Sequence, residues 1–356
     1  MKPLDFISIV SRTLDDYAML NTHDKVLAAV SGGPDSIAMV RGMMALKDKY
    51  QITVGIAHLN HMIRKNEANK DEAFVRHFAN QHDLPCHIRK RDVKSFAESC
   101  QLSLEDAGRQ MRYTFFNELS DRHGYAKIAT GHHKNDTAEL VLMNLLRGAG
   151  PTGLSGIPAV RGKKIIRPLI KTSKKQILSF LKDNHQPYVM DSSNRDNTFL
   201  RNRIRNDLIP FLQSEFNPEV TDALNRLSHI LKQEDAYMKQ TAHKAFKQCI
   251  SKWNTHSISF STAALMNLDP AVFNRVIRMG LKKIKHNLRR ISLIHIEDIY
   301  QFCMFSSQNG SLDLPNQIRV YKKNQQFIIK KEVLPLREIG EKTKQLKHMD
   351  PENTRK

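Results

Sequence analysis

Short apolar runs alternate with longer amphipathic segments over the first half of the chain. Val26–Val30, Ile52–His58 and Lys127–Thr130 are short and apolar, and they contain many β-branched residues, as strands buried on both faces do. The segments between them carry apolar residues at helical spacing. Strands that alternate with helices are typical of a doubly wound parallel sheet, so we predict an α/β fold for this part of the chain.

The pattern changes after Leu212. Leu212–Leu231 is predicted as a helix with a start signal at Asn217-Pro218, and Pro270–Ile284 as another helix. Gly310–Tyr321 and Gln326–Ile329 predict a hairpin near the end. We therefore predict an N-terminal domain over 1–212, a helical linker over 213–232, a smaller, mainly helical α+β domain over 233–331, and a polar, disordered tail over 332–356.

Composition adds a partner class to this outline. The 356 residues are 40% hydrophobic and 26% charged, which is ordinary for a globular protein of two domains. A formal net charge of +20 is not ordinary, and it indicates a polyanion such as nucleic acid, with an anionic membrane surface as the alternative. Since Met1–Leu20 lacks a signal-peptide core and no apolar run reaches spanning length, we expect a cytoplasmic protein with no membrane partner.

The four cysteines argue against several kinds of site. They are scattered, with no Cys-x-x-Cys pair, at Cys86, Cys100, Cys249 and Cys303. This spacing disfavours a zinc ribbon, an iron–sulfur cluster or a disulfide framework, so we interpret them as reduced structural residues.

Ser31-Gly-Gly-Pro-Asp-Ser36 follows the first strand directly and carries the strongest chemical signal. Glycines at positions 32 and 33 let the backbone turn sharply and bring its N–H groups close to an anion, and the helix that follows adds its positive end. The spacing matches neither the Walker A nor the dinucleotide-binding pattern. An ordinary glycine turn with Asp35 or Ser36 as a helix cap is the alternative.

Polar residues follow each of the three predicted strands. They are Ser31–Ser36, then His58 and His61 with Arg64, then Gly131–Asp136. Ligands of such sheets bind at the carboxyl ends of the strands, so we expect the three clusters to converge on one site. Two adjacent histidines beside acids could also indicate zinc, but the His-x-x-x-His spacing is missing.

Asp136 and Glu139 open the helix predicted at Leu140–Leu146. Acids three residues apart at a helix start suit a capping box, with Asp136 as the N-cap, and this structural interpretation competes with a catalytic one.

These motifs resemble those of the N-type ATP pyrophosphatases and, as an ordered set, those of the tRNA(Ile)-lysidine synthetase family. After the Ser31–Ser36 loop, the matching residues are His58, His61 and Arg64, then Arg109, Arg112 and Tyr113, then His132, His133, Asp136 and Glu139, then Arg147–Leu154, Arg167–Leu169, Asp191–Asn194, and Arg201 with Arg205. The chain departs from the family at Asn135, where a second acid is common, at Leu140, where threonine is common, and at Gly108, where alanine is common. The likeness covers Lys25–Pro210 and continues more faintly to Lys331.

The resemblance implies an adenine nucleotide α-hydrolase-like fold and a ligase that uses ATP and Mg²⁺. Such an enzyme would adenylate the C2 oxygen of the wobble cytidine of tRNA(Ile) with a CAU anticodon, and L-lysine would then displace AMP. By residue, it implies ATP binding by Ser31, Gly32, Gly33, Pro34, Asp35, Ser36, His58 and Gly131, metal binding by Asp35 and Asp136, catalysis by Asp35, Arg112, His133 and Asp136, and lysine binding by Asp136, Glu139 and Arg205. A homodimer is left open.

Basic residues predict where the tRNA binds. Lys163–Arg205 is rich in lysine and arginine beside an apolar helix side, Gln176–Leu181, which favours an RNA-binding face over a merely solvated one. Together with the family motifs and the second domain, this predicts tRNA contacts from Arg64, Arg109, Lys171, Lys174, Arg195, Arg201, Arg289 and Arg290.

Three other functions remain open. A related tRNA thiolase would need paired cysteines. An amidotransferase or synthetase acting on a small molecule would leave the net charge unexplained and would need a glutaminase cysteine. A basic RNA-binding protein with a vestigial nucleotide site would show no ATP–pyrophosphate exchange.

Overall fold

Two compact units, Met1–Lys232 and Gln233–Lys356, make up the chain in the computed structural model. The structure describes residues 5–62, 65–190, 199–306 and 309–333. The division falls inside a helix that runs from Val220 to Cys249, beyond the predicted helix end at Leu231. The predicted tail over 332–356 lies outside the described residues from 334 onward.

The first unit is built on a six-stranded sheet. Its strands are β1 (Lys25–Ala29), β2 (Thr53–Asn60), β3 (Cys86–Lys90), β4 (Lys127–Ala129), β5 (Val160–Arg161) and β6 (Ile165–Ile166). The order across the sheet is β3-β2-β1-β4-β6-β5, and every neighbouring pair is parallel except β5 with β6. The predicted parallel α/β sheet is confirmed, with an antiparallel strand added at one edge.

Helices connect these strands and cover the sheet. They are α1 (Phe6–Asp16), α2 (Pro34–Ala45), α3 (Lys47–Tyr50), α4 (Lys65–Gln81), α5 (Val93–Cys100), α6 (Leu104–His123), α7 (Lys134–Leu146), α8 (Pro151–Leu154), α9 (Lys174–Asp183), α10 (Leu200–Arg203), α11 (Ile209–Glu215) and α12 (Val220–Cys249). Between α10 and α11 the chain forms one π-helical segment, Ile204–Leu208.

The central strand is apolar from Val26 onward because both faces of the sheet are covered. Val26 and Ala28 pack into a core with Ile37 of α2, whereas Leu27 points the other way, into a cluster with Phe115 of α6 and Ile128 of β4. Alternate side chains of one strand thus enter two different cores. This explains why the strand reads as an unbroken apolar run.

The second unit carries a five-stranded antiparallel sheet of order β7-β8-β11-β10-β9. Its elements are β7 (Ile250–Trp253), β8 (Ser257–Ser261), α13 (Thr262–Met266), α14 (Pro270–Lys285), α15 (Leu293–Phe305), β9 (Gly310–Leu314), β10 (Ile318–Lys323) and β11 (Gln326–Lys331). Phe260, Phe273 and Phe327 are fully buried in its core. The predicted helices and late strands are present, and β7 and β8 are additional strands.

No helix in the described part of the chain combines the length and the apolar character that crossing a bilayer would need.

Candidate active site

Serine hydroxyl groups of the loop between β1 and α2 form hydrogen bonds across the turn. Ser36 Oγ donates to the carbonyl of Gly33 at 2.9 Å and lies 3.3 Å from the backbone nitrogen of Ser31. The N–H of Gly33 bonds to Ser31 Oγ at 3.3 Å. Gly32 has a φ of +95°, a conformation that only glycine adopts without strain. The result is a short turn whose backbone leads directly into the positive end of α2.

Gly131 lets the end of β4 approach this turn closely. A Cβ atom at position 131 would lie 3.1 Å from the backbone carbon of Asp35 and 3.2 Å from the backbone nitrogen of Ser36. Both neighbours are main chain and have little freedom to move. Any larger residue would therefore push the end of β4 away from the first turn of α2.

Three helix N-termini meet around Asp35. Asp35 lies in the first turn of α2. His133, the N-cap of α7, brings its Nε2 to 3.6 Å from Asp35 Oδ1, and Lys174, the first residue of α9, brings its Nζ to 2.5 Å from the same oxygen. The N–H of Lys174 also bonds to Asn135 Oδ1 at 3.0 Å, which ties α9 to α7. The positive ends of three helix dipoles therefore lie near one point, which favours an anion there.

The charges around Asp35 keep it ionised. Burial acts to raise its pKa, but the nearby Nε2–H of His133 and the ammonium of Lys174 outweigh burial, and they hold the pKa of Asp35 at about 2.

His133 has a defined tautomer. Its Nδ1 accepts the N–H of Asn135 at 3.2 Å, so the proton of the neutral ring lies on Nε2. That Nε2 lies 3.6 Å from Asp35 Oδ1 and 3.5 Å from Asp136 Oδ2. One N–H donor is therefore placed between two carboxylates at the entrance of α7.

The capping box of α7 lies one turn earlier than predicted. His133 is the N-cap, and Asp136 Oδ2 accepts the N–H of His133 at 2.9 Å. The interpretation of Asp136 as N-cap with Glu139 as its partner is wrong, because the helix begins at Lys134 and Glu139 lies in its interior. Glu139 is therefore not a cap.

Asp136 and Glu139 form a buried cluster with two arginines. Glu139, only 1% exposed, receives Arg205 Nε on Oε1 at 2.6 Å and Arg201 Nε on Oε2 at 2.9 Å. Asp136 Oδ1 receives Arg201 at 2.7 Å and Arg205 at 3.3 Å. Burial acts to raise the pKa of Asp136, but His133 and then Arg201 lower it overall. Burial likewise opposes the charge of Arg205, yet Glu139 raises the pKa of that guanidinium. Two negative and two positive charges thus neutralise each other.

The arginines reach the cluster from an irregular helix. Arg201 lies on α10, and Arg205 lies in the π-helical segment that follows. Their spacing of four residues places both side chains on one side of the helix, facing α7. π-Helical turns are rare and often occur at functional sites.

His58 and His61 add neutral rings at the end of β2. His58 Nδ1 lies 2.9 Å from the carbonyl of Val30, so it donates there, while its buried Nε2 has no partner among the described residues. His61 Nδ1 is also buried without a partner in the described ranges. Burial, and then the nearby charge of Arg112, lowers the pKa of His61 to about 4. Both rings can therefore accept a ligand hydrogen bond at neutral pH.

Arg112 lies among these rings with no carboxylate bound to it in the described part of the chain. Its Nε donates to the carbonyl of Gly108 at 3.3 Å, and burial lowers the pKa of its guanidinium. A Cβ at position 108 would lie 3.5 Å from His61, an ordinary contact. The alanine that is common in the family would therefore fit at this position.

The residues predicted to bind tRNA lie in several environments. Arg109 is exposed on α6, Lys171 pairs with Asp16 at 2.7 Å, and Arg289 and Arg290 are exposed in the loop after α14. Arg64, Arg195 and the Asp191–Asn194 motif lie outside the described residues. Lys174 contacts Asp35, and Arg201 lies in the acid–arginine cluster.

The position of Lys174 depends on β6, a strand that the residue pattern did not predict. This strand has two residues, too few to be recognised by pattern. Had it been recognised, the segment that follows it would have formed a fourth polar cluster at a strand end. The side chain of Asn135 was also overlooked. Its amide oxygen still supplies the acceptor for α9 that an acid would supply.

No three His, Cys, Asp or Glu side chains within the described ranges are grouped so that they could hold a metal by themselves. Asp35 and Asp136 provide two carboxylates, both near His133 Nε2. Mg²⁺ commonly takes one or two carboxylate ligands from a protein, while phosphates and water complete its coordination shell.

The chain is similar in sequence to known proteins. The family model of the PP-loop domain matches residues 7–212. The tRNA(Ile)-lysidine synthases of Clostridium tetani and Clostridium acetobutylicum are each 34% identical, and the alignments cover 88% of this chain and 66% and 68% of those proteins. That of Caldanaerobacter subterraneus subsp. tengcongensis is 35% identical over 91% of this chain and 69% of its own length. The chain thus spans about two thirds of the length of these curated relatives.

A solved structure shows the fold alone. The U34-tRNA thiolase NcsA from Methanococcus maripaludis, with its [4Fe-4S] cluster, superposes with a TM-score of 0.52 at 19% identity, over 64% of this chain and 79% of that one.

The matched PP-loop domain contains the phosphate loop, and the curated relatives extend the likeness over most of both units. By these findings the chain belongs to the tRNA(Ile)-lysidine synthase family of PP-loop proteins.

Proposed function

We propose that this protein ligates L-lysine to C2 of the wobble cytidine of tRNA(Ile) with a CAU anticodon, using ATP and passing through an adenylated tRNA. The observation that carries the proposal is the proximity of two groups of residues, an anion site at three helix N-termini and a neutralised acid–arginine cluster, which the 3.5 Å contact of His133 with Asp136 joins. The first suits the phosphates of ATP, and the second suits an amino acid with charges of both signs. Family membership supports the same reaction.

The phosphate loop would hold the β- and γ-phosphates of ATP. The turn is formed by Ser31, Gly32, Gly33 and Ser36. Pro34 is the first residue of α2, a position where its missing N–H costs no helix hydrogen bond. Gly131 keeps the neighbouring strand end close, and the free Nε2 of His58 provides an acceptor for the nucleotide. These groups bind ATP by position and charge, with no covalent chemistry of their own.

Asp35 and Asp136 would hold Mg²⁺, a cation that neutralises phosphate charge and helps pyrophosphate to leave. Asp35 is ionised across the physiological range because its pKa lies at about 2. Lys174 occupies the same carboxylate oxygen and would move towards the phosphates when the cation binds. Asp136 keeps Oδ2 on the N–H of His133, which fixes its orientation.

Arg112 and His133 would stabilise the charge that develops at the α-phosphate. The guanidinium of Arg112 is free of carboxylates in the described ranges, and His133 has its proton on Nε2, facing Asp35 and Asp136. The donor of His133 faces Asp35 in the first turn of α2, and Arg112 would supply a second donor to the nucleotide. Donors that are already oriented lower the barrier because they need no rearrangement during the reaction.

Lysine would bind at Asp136, Glu139 and Arg205. Its ammonium can replace one guanidinium on the acids, and its α-carboxylate can pair with Arg205. The ε-amine attacks C2 only after it has lost a proton, and a carboxylate of the cluster would accept that proton. The new C–N bond forms as the C2–O bond to AMP breaks.

Incubation of the full chain with ATP, labelled lysine and total tRNA, followed by mass analysis of the nucleosides, tests this function. We expect one labelled lysine in the modified cytidine for each AMP released, and no product without ATP. Transfer of sulfur instead of lysine, or AMP release without a modified nucleoside, would reject the proposal. Cell fractionation tests the proposed cytoplasmic location, and size-exclusion chromatography with light scattering tests a homodimer.

A further inference from the structure

A cationic aromatic cluster lies on the first unit beside the acid–arginine cluster. The ring of Tyr113 on α6 has the guanidinium of Arg109 at 5.6 Å and that of Arg161 at 5.7 Å from its centroid. Both distances lie within the range of cation–π attraction. Arg109 and Arg161 are exposed, and the tyrosine is partly exposed. Arg161 comes from the edge strand β5, so two separate elements build this surface.

A third, buried arginine lies near this cluster. Arg167 is only 2% exposed, its NH1 donates to the carbonyl of Pro158, and its Nε has no partner within the described ranges. Burial lowers the pKa of Arg167, Tyr113 partly offsets this, and the charges of Arg109 and Arg161 lower it further. The three guanidiniums are thus close enough to repel one another.

No carboxylate compensates this repulsion. Within the described part of the chain, none of Arg109, Arg161 and Arg167 forms an ion pair, whereas Arg89 on the same sheet stacks on Phe115 at 4.6 Å and is paired with Glu118. Three uncompensated positive charges around one ring are costly unless an anion binds there. This surface therefore suits a ligand that carries negative charge and a planar ring.

The cluster also lies close to the predicted chemistry. Arg167 directly follows Ile166, which pairs with Ala129 of β4, and β4 leads straight to His132. His132 is the direct neighbour of His133. A ligand on Tyr113 would therefore lie next to the groups that would activate the cytidine.

From this geometry we propose that Tyr113, flanked by Arg109 and Arg161, is the stacking platform for one unpaired base of the tRNA anticodon loop, with the arginines holding its phosphates. The inference rests on the proposed function and adds to it the part of the RNA that is read here. Single-stranded bases stack on tyrosine rings and guanidinium planes, and neighbouring phosphates pair with arginine. No contact within the described chain covers the outer face of this ring with a carboxylate.

The test measures binding of a synthetic anticodon stem-loop with a CAU anticodon to the full chain, by fluorescence anisotropy. Y113A should weaken binding roughly 5- to 150-fold, the range expected for one lost base stack. Y113F keeps the ring and should stay within about twofold of the wild type. R161A should weaken binding, whereas R89A, which removes a stacked but paired arginine, should leave it unchanged. ATP affinity and melting temperature serve as folding controls for each variant.

A set of stem-loops, each with one abasic position, identifies the base. We expect one abasic position to weaken binding to the wild type and to have no further effect on Y113A. If every abasic position keeps its full effect in Y113A, or if Y113A binds as the wild type does, the platform is rejected. Lysidine formation on full tRNA is measured in parallel with the wild type. If the wild type forms no lysidine, the proposed function is rejected. The stem-loop measurements alone then decide whether a base binds at Tyr113.

Discussion

The ammonium of Lys174 lies 2.5 Å from Oδ1 of Asp35, so a residue predicted to contact tRNA reaches into the phosphate site. The contact joins the first turns of α2 and α9. Lys174 therefore has two competing roles, as a ligand of the ATP phosphates or as a contact for tRNA.

K174A separates these assignments. As a phosphate ligand, Lys174 should affect ATP, so the variant should raise the KM for ATP about tenfold or more, as a charge-assisted bond of roughly 1.5–3 kcal/mol predicts. Affinity for tRNA should change little. K175A, the exposed neighbour on α9, is the matched control for loss of one positive charge. A normal KM for ATP together with weaker tRNA binding would restore the assignment to tRNA.

D35A should abolish AMP formation while tRNA binding stays nearly intact. The carboxylate is the acid of the phosphate loop, and its removal takes away a proposed Mg²⁺ ligand together with the partner of Lys174 and His133. Quantifying AMP by chromatography and tRNA binding by filter retention checks both parts. AMP production at the wild-type rate would contradict the metal role.

E139Q should both lower stability and impair lysine use. A neutral amide removes the negative charge that pairs with Arg201 and Arg205, and the loss of charge-assisted hydrogen bonds lowers the free energy of unfolding by roughly 1.5–3 kcal/mol. We expect the lower figure because both arginines are about one third exposed, so that water screens the pairs. Expected results are a melting temperature several degrees lower and a lysine requirement raised at least tenfold. E118Q, which alters the surface pair with Arg89, should change neither. If E139Q uses lysine normally, Glu139 is only structural.

Acid should destabilise the fold through His61. Its pKa in the folded protein is about 4, below the ordinary value of 6.5, because burial and then Arg112 disfavour the charged ring. The unfolded chain therefore binds the proton first, and the unfolding free energy falls as the pH drops from about 6.5 to about 4, by up to about 1.4 kcal/mol per pH unit for this one proton. Urea titrations across this range should show a smaller fall for H61Q than for the wild type. H77Q, at an exposed position on α4, should reproduce the wild-type fall.

Binding of tRNA should weaken steeply with salt. With a formal net charge of +20, the chain would neutralise several phosphates and release their counterions. A double logarithmic plot of affinity against salt should be linear. The R289A/R290A double variant should reduce its slope by roughly one to two. R76A, which removes an arginine paired with Glu72, should leave the slope unchanged, and a flat plot for the wild type would assign the basic surfaces to another role.

Patterns of residues predicted the sheet but not all of its strands. Val26–Val30 could be recognised because burial on both faces makes a strand continuously apolar. Cys86–Lys90 forms the edge strand β3, half-exposed and mixed with charges, so it carries no such run. In the second unit, Ser257–Ser261 does alternate, with Ile258 and Phe260 buried, and this signal was available but overlooked.

The candidate site was predictable where its residues follow strands. Asp35, His133 and Asp136 lie together as the convergence of strand ends requires. The pairing of Glu139 with Arg201 and Arg205 was not predictable, because it depends on how a π-helical segment packs against α7, and sequence spacing does not encode such a contact. The same holds for Arg161 beside Tyr113, which joins two elements distant in sequence.

The acid–arginine cluster also has a consequence for the order in which the first unit assembles and opens. Glu139 and its arginines are separated by 62 and 66 residues, so a long loop must close before the charges meet. In the described part of the chain, a small apolar cluster also joins the two segments, with Ala138, Leu142, Ile204 and Ile209 buried and a few partly buried residues packed against them. The segment Leu200–Leu208 should therefore dock late and exchange its amide hydrogens sooner than β1 does. Lysine, by bridging both segments, should slow that exchange.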